Sequence, residues 1–445
     1  MTKNNANKLN RRKFLGYSAL GMTGLTILPN WVMANGLRIS PSDRIVLGFI
    51  GLGQQGMSDF MSFTPCAGVQ VAAGCDVDGL KNERFKRRVH AWQKNQNVPQ
   101  RCDTYEFYED LLNRKDIDAV SIATPDHWHA LNTIHACQAK KDVYVQKPLS
   151  YSISESIDMV RAVRDNKCVV QVGSQQRSSK EFQQAIAVVR AGGIGHIETI
   201  HVKVGPPPST FDLPEMPIPP ELNFNQWLGP LNDPKVHYHP DICLPISLDP
   251  EKNETKWACW RYYRETANGF TADWGTHMFD IAQAAIGMDG LGPCEYIPAG
   301  FGGAKYLTMK YQNGIVMTEQ PYHDKRTDNG ISFNGTKGWL KVARGFIDCS
   351  DSSLLKKQEQ QIGAGQFEMS SPHMQNFLDC VRSRKNPIAP VEAGASSLRI
   401  CCLANMSIEL QRPVKWDPAT LCFDGDMEAA NHRLYRYQYR KPYTI

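Results

Sequence analysis

The segment from Arg44 to Asp76 constrains the fold more than any other part of the chain. An apolar run, Ile45 to Ile50, leads into Gly51-Leu52-Gly53-Gln54-Gln55-Gly56, and a second run, Val69 to Ala73, precedes Asp76. Strand, glycine turn, helix, strand and terminal acid, in that order, are what a dinucleotide site requires. Gly51 permits the tight turn, Gly53 lets the backbone approach a pyrophosphate, and Gly56 lets the helix sit close on the strand. The helix start, where Gln55 lies, offers free N–H groups to the phosphates. Asp76 is placed to accept from both adenosine ribose hydroxyls and to repel a 2′-phosphate. Val77-Asp78 brings no Arg to replace it. NAD is therefore expected rather than NADP.

The first 34 residues read as a targeting segment. Asn10-Arg11-Arg12-Lys13-Phe14-Leu15 is a twin-arginine start, a mildly apolar stretch runs from Phe14 to Leu28, and Val32-Met33-Ala34 suits cleavage. The stretch falls short of the about 20 apolar residues of a membrane span. The chain carries 50 Lys+Arg and 45 Asp+Glu. Lys3, Lys8, Arg11, Arg12 and Lys13 all precede the cleavage point, where no acid stands, so the remaining chain is near neutral. The basic balance thus belongs to targeting and gives no reason to expect nucleic acid as a partner. The expected location is periplasmic, reached through the twin-arginine export machinery, which carries folded proteins. The 13 cysteines form no CxxC, and Cys75, Cys137 and Cys402 lie in apolar segments, so no disulfide framework is implied.

After that segment the chain is long enough for two domains. From Arg44 to about Gly173, short apolar strands alternate with helices: Ala119–Ala123, a helix through Leu131 to Ala139, Val143–Val145, a helix from Ser154 to Arg164, and Val169–Val172. That rhythm predicts an α/β domain over 43–172 with a doubly wound parallel Rossmann sheet. Past Gly173 the pattern changes to a helix near Phe182 to Ala191 and an alternating strand from His196 to Val204. A proline-rich stretch, 205–245, follows. Later strand-like runs are Lys305–Tyr311, Gly314–Glu319, Ile331–Asn334 and Trp339–Val342. Turns such as Gly335-Thr336-Lys337-Gly338 join them. Residues 173–445 are therefore expected to form an α+β domain on an open, mainly antiparallel sheet, for substrate binding and oligomerisation.

Two places carry candidate chemistry. Lys147, in Gln146-Lys147-Pro148, ends the Val143–Val145 strand, the edge where doubly wound sheets bind ligands. Asp273 and His277 stand four apart at the start of a helix that runs to Ala285, so they are expected on one face. There the carboxylate would fix the imidazole tautomer and raise its basicity. A surface lysine, a first-turn acid and a satisfied core histidine are the bland readings of the same residues.

Taken in order, Gly51-x-Gly53-x-x-Gly56 with Asp76, Ala123-Thr124-Pro125, Lys147-Pro148 and Asp273-x-x-x-His277 resemble the Gfo/Idh/MocA family of glucose–fructose oxidoreductase and inositol dehydrogenase. The likeness covers nearly all of the chain after the targeting segment, and the proline-rich insertion resembles the exported subgroup. It implies that Lys147 assists proton transfer beside a nicotinamide, with Asp273 as orienter and His277 as base. Gln146 stands where the family usually has Glu, which removes a negative neighbour from Lys147.

Around this set, Thr124, Pro125 and His129 are expected to line the cofactor. Trp128, Trp260 and Arg261 are expected to face the substrate together with Asp273 and His277. Asp126 reads as a helix N-cap. Trp257 and Tyr262 could equally stack on a sugar or pack in the core. His237-x-His239-x-Asp241 could ligate a metal, but a fourth ligand at a telling spacing is missing, and no metal is expected. The expectation is an oxidoreductase passing hydride between a carbohydrate hydroxyl carbon and a tightly held NAD. A homo-oligomer is expected, as among relatives. An NAD-dependent glycosidase working by oxidation, elimination, hydration and reduction, and a non-catalytic sugar or nucleotide sensor, stand as alternatives.

Overall fold

The computed structural model describes residues 43–249, 256–363 and 370–445, with the two-residue strands Met33–Ala34, Leu37–Arg38 and Glu251–Lys252. The twin-arginine motif and its apolar stretch lie outside the described residues. Six strands form the first sheet: β1 (Ile45–Ile50), β2 (Val69–Cys75), β3 (Asp103–Tyr105), β4 (Ala119–Ile122), β5 (Asp142–Val145) and β6 (Val170–Val172). Their order is β3-β2-β1-β4-β5-β6, and every pairing is parallel. The order reverses between β1 and β4, so a crevice opens there at the carboxyl ends. Helices α1 (Gln54–Phe63), α2 (Gly79–Asn95), α3 (Asp126–Gln138) and α4 (Ile153–Asn166) make the crossovers. Strands covered on both faces need continuous apolar sequence, and β4 and β5 are buried throughout.

The second sheet uses α5 (Lys180–Arg190), β7 (Ile197–Lys203), α6 (Gly275–Ile286), β8 (Glu295–Ile297), β9 (Thr308–Lys310), β10 (Val316–Glu319), β11 (Gly330–Gly335), β12 (Gly338–Ala343) and β13 (Phe346–Cys349). A final strand, β14 (Val414–Lys415), gives the order β13-β12-β11-β7-β10-β9-β8-β14. Only β7 and β10 pair in parallel. The open, mainly antiparallel sheet is thus present, and Gly335 pairs with Gly338 across the expected turn. Ile200, Val202, Ile331 and Phe333 face a core shared with Phe279 and Leu398.

Several helices were not anticipated from the sequence, among them two that carry the second half of the chain onto the first domain. α7 (His373–Ser383) inserts Met374, Phe377 and Leu378 into the first domain's core, where Phe377 meets Phe63 and Tyr144 edge-on. α8 (Val391–Leu410) packs Gly394 against Val172, where a Cβ would stand 2.7 Å from the valine side chain. The two sheets part near residue 173, but the first core draws on residues two hundred positions later. The proline-rich stretch and the segment that follows it build a small core from Phe211, Phe224, Trp227, Tyr238, Trp260 and Tyr263. It is strapped to the carboxyl end of the first sheet by Asn223 N–H to Val77 O and Gly79 N–H to Glu221 O, both 2.9 Å.

Candidate active site

The glycine turn sits in the crevice between β1 and β4. Gly51 has φ +84°, and a Cβ there would lie 2.6 Å from the Ala123–Thr124 backbone. A Cβ on Gly56 would lie 2.0 Å from Gly51 O, so α1 can approach β1 only because residue 56 has no side chain. Asp76 pins the turn: its Oδ2 accepts from Leu52 N–H at 2.7 Å and its Oδ1 from Asp78 N–H at 3.0 Å. Each carboxylate oxygen keeps a second lone pair for a ribose hydroxyl. Burial raises the Asp76 proton affinity, and nearby Lys81 opposes it. A groove of about 130 Å³ runs along Gly51, Gly53, Asp76, Thr124 and Pro125, roofed by Trp227 and Cys243 of the strap. Gln54 Oε1 beside it is buried without a protein partner. A cradle free of Cβ atoms, a pinned acid and an orphaned acceptor fit a dinucleotide.

The groove shares Gln55, Thr124, Trp260 and Arg261 with a cleft of about 1660 Å³ at the seam between the sheets. There Lys147 Nζ donates to Asp273 Oδ1 at 2.5 Å and to Asp273 O at 2.9 Å. Burial opposes ionisation of Asp273, but Lys147, Arg261 and Arg344 outweigh it and hold the carboxyl below its usual range. His277 lines the same cleft and is 5% exposed. Burial, then Lys147 and Arg344, hold its imidazole neutral, far below the usual histidine range.

Four expectations need correction. Asp273 does not orient His277: its carboxylate is committed to Lys147, and His277 Nδ1 is buried without a partner. The helix is interrupted at Trp274 between Gly269–Asp273 and α6, so helical spacing is a poor guide there. The histidine's basicity is lowered rather than raised. His129 is not free for a cofactor, because Nδ1 lies 2.7 Å from Pro148 O and Nε2 lies 2.8 Å from Thr124 O, and the one N–H of the neutral ring donates to one of these carbonyls. It ties two ligand-edge loops together, and burial lowers its pKa to about 4. Trp128 lines the groove and not the cleft, with its indole N–H on Trp227 O at 3.0 Å and its ring edge-on to Tyr108 and Tyr443. Finally, replacing Glu by Gln146 does not leave the region without a carboxylate. Gln146 Nε2 donates to both oxygens of buried Asp59, at 2.9 and 3.0 Å, and Gln55 Nε2 donates to the same group. Two carboxylates at such separation would repel, so the amide lets the acid sit on α1.

Trp260 and Arg261 do line the cleft, and Arg261 lies over the Trp257 and Trp260 rings at 4.7 and 4.4 Å. Sequence reasoning missed Arg344, which lies over Trp274 at 4.5 Å. With its amide nitrogen facing the His277 carbonyl, Gln176 bridges that oxygen and Arg344 Nε, each at 3.1 Å. Nothing in the local sequence marks Arg344, which reaches the site from the turn after β12. His237 Nε2 bonds Leu213 O and His239 Nδ1 accepts from Asp241 N–H, so both rings serve the strap's own turns. Among the described residues no helix is long and apolar enough to cross a membrane.

Comparison with known proteins agrees with this geometry. Residues 45–174 match the model of an oxidoreductase family with an NAD-binding Rossmann fold, and residues 208–445 match that family's C-terminal alpha/beta domain. A glycosyl hydrolase family 109 protein of Shewanella pealeana is 30% identical over 207 residues, 43% of this chain and 44% of the relative. The uncharacterized oxidoreductase YrbE of Bacillus subtilis is 29% identical over 168 residues, 37% of this chain and 46% of the relative. The chain thus spans less than half the length of these relatives. Among solved structures, aldose-aldose oxidoreductase from Caulobacter crescentus aligns with TM-score 0.54 and 17% identity, over 84% of this chain and 99% of that one. Scyllo-inositol dehydrogenase from Lactobacillus casei, with bound NAD(H) and scyllo-inositol, aligns with TM-score 0.52 and 14% identity over the same shares. At such identity these two speak for the fold alone. With both halves matched in sequence order, the chain belongs to the Gfo/Idh/MocA oxidoreductase family.

Proposed function

We propose that this protein is an exported NAD-dependent oxidoreductase that passes hydride between a hydroxyl-bearing carbon of a sugar, polyol or glycoside and a nicotinamide cofactor that stays bound. The observation that carries the reading is the Lys147–Asp273 pair, set beside neutral His277 where the glycine-turn groove opens into the cleft. Bound nicotinamide would supply the hydride acceptor. The chain supplies the rest. An ammonium has three donors; two of Lys147's go to Asp273, and the third is left for a substrate oxygen. Its charge makes that hydroxyl more acidic. His277, kept neutral, takes the released proton.

Cofactor retention is supported by the strap that roofs the groove with Trp227 and Cys243. Export is supported by Asn10-Arg11-Arg12-Lys13, and a homo-oligomer by the sheet face that carries Thr199 and His201, opposite the face that joins the core. The test is to purify the protein from the periplasm, dialyse it, and follow nicotinamide absorbance with a panel of sugars and glycosides. Recovery of empty protein would refute retention, and silence with every substrate would refute the activity. The match to a glycosyl hydrolase family 109 protein favours a second reading, glycoside cleavage with no net NADH. Release of an aglycone from an aryl glycoside distinguishes it.

A further inference from the structure

Asp126-His127-Trp128-His129 opens α3 at the ligand edge of the first sheet. Three of these side chains donate to backbone carbonyls: His127 to Trp227 O, Trp128 to the same oxygen, and His129 to Pro148 O or Thr124 O, depending on its tautomer. The fourth does not. Asp126 is 5% exposed, lines the cleft beside Lys147, and accepts no hydrogen bond from another residue's side chain among the described residues. It is not an N-cap in the usual sense, because Pro125 occupies the cap position. Burial works against its charge, and the hydrogen bond it does take comes from its own backbone N–H.

The charged groups that face it are Lys147 and Asp273 at the seam and Arg261 in the loop before α6. His129, one turn away on the same helix, is neutral near pH 7. Lys147 is already saturated on two of its three donors by Asp273. Arg261 is stacked on Trp257 and Trp260. Asp126 lines the cleft, so a group that enters can donate to its carboxylate. A hydroxyl is a donor that suits a carboxylate in a cleft also lined by Arg261, Trp257 and Trp260.

We infer that Asp126 grips a second substrate hydroxyl, next to the one handled by Lys147 and His277, so that the site selects vicinal diols over simple alcohols. Asp126 would then be a specificity-determining residue that touches substrate. The inference deepens the proposed function and rests on its placement of substrate in this cleft.

The test reads binding separately from turnover. Tryptophan fluorescence of the NAD-loaded protein is titrated with D-glucose, myo-inositol and their monodeoxy analogues, for wild type, Asp126→Ala and Asp126→Asn. In wild type, loss of one particular hydroxyl should weaken binding by roughly 10- to 100-fold, the worth of a hydrogen bond to a charged group. In Asp126→Ala that difference should vanish, and Asp126→Asn, which keeps an acceptor oxygen, should retain part of it. NAD affinity should not move in either variant. The inference is overturned if no analogue discriminates in wild type, if the discrimination survives unchanged in Asp126→Ala, or if no polyol binds. Discrimination lost in Asp126→Ala, without any NADH formation, would overturn the dehydrogenase reading and leave this one standing. Turnover without such discrimination would do the reverse.

Discussion

In the glycine-turn groove, the groups that shape the expected dinucleotide path come from short stretches of chain around Gly51–Gly56, Asp76 and Ala123–Pro125. In the adjoining cleft, Lys147 meets Asp273 across 126 residues, and Arg344 arrives from a third place again. The groove is assembled by local turns whose geometry is dictated by where Cβ atoms are absent. The cleft is assembled by the packing of two sheets through α6 and α8. A change in the groove should therefore abolish nucleotide binding itself, and a change in the cleft should spare the nucleotide and affect the chemistry.

The sharpest test of that contrast is Gly56→Ala. A methyl 2.0 Å from Gly51 O forces α1 away from the turn. Calorimetric titration should find no NAD binding, and thermal melting should show a loss of about 1–3 kcal/mol from overpacking. Wild-type affinity in this variant would remove the local half of the comparison. Next in size, Lys147→Met should cut turnover by roughly 100- to 10,000-fold, the range for a lost proton-transfer group. NAD binding should persist; if it disappears too, groove and cleft are not separable.

A double-mutant cycle then probes the cleft's internal wiring. Lys147→Met and Asp273→Asn should couple by about 0.5–3 kcal/mol in kcat/KM, as groups in direct contact do. Asp273→Asn and His277→Ala should couple less strongly than that pair, since no hydrogen bond joins them. Strong coupling of the second pair would restore the role first expected for Asp273. Smaller still is the pH effect. Burial pushes Asp126 up to about 7, against Lys147 and Arg261, which favour its charge. Its carboxylate is ionised above that value, so kcat/KM should fall as the pH drops below it, and Asp126→Asn should flatten that limb. The smallest effect is expected at the strap. Asn223→Ala removes the bond from Asn223 Nδ2 to Glu106 and the cap on Gln226 N–H. It should speed NAD release severalfold in stopped-flow measurements, by about 1 kcal/mol.

Much of the fold was legible because its signals are short-range. Alternation in Ile197–Lys203 and the turn at Gly335–Gly338 depend only on neighbours, and both appear as read. α7 was not legible in the same way. Its apolar face makes sense only against Phe63 and Tyr144, three hundred residues earlier in one case, and nothing in its own sequence names those partners. The site divides along the same line. Gly51, Gly53, Gly56 and Asp76 were found from spacing, and Lys147 from its place at a strand end. His129 and Trp128 were misread because a polar side chain at a ligand edge looks the same whether it faces a ligand or a backbone carbonyl. Asp126 was passed over for the opposite reason, since an acid opening a helix already has an ordinary explanation.

By itself the sequence determined that a parallel sheet would carry a glycine turn ending at an acid, that an antiparallel sheet would follow, and that a lysine would stand at the ligand edge. Periodicity and turn chemistry act within a few residues, so one chain suffices to state them. Only the tertiary structure decided that Asp273 pairs with Lys147 and leaves His277 alone, that Asp59 supplies the carboxylate beside Gln146, and that Asp126 lines the cleft. Those outcomes depend on which of several nearby partners lies within hydrogen-bonding distance, and ångström-scale separations between remote segments are set by how the layers pack.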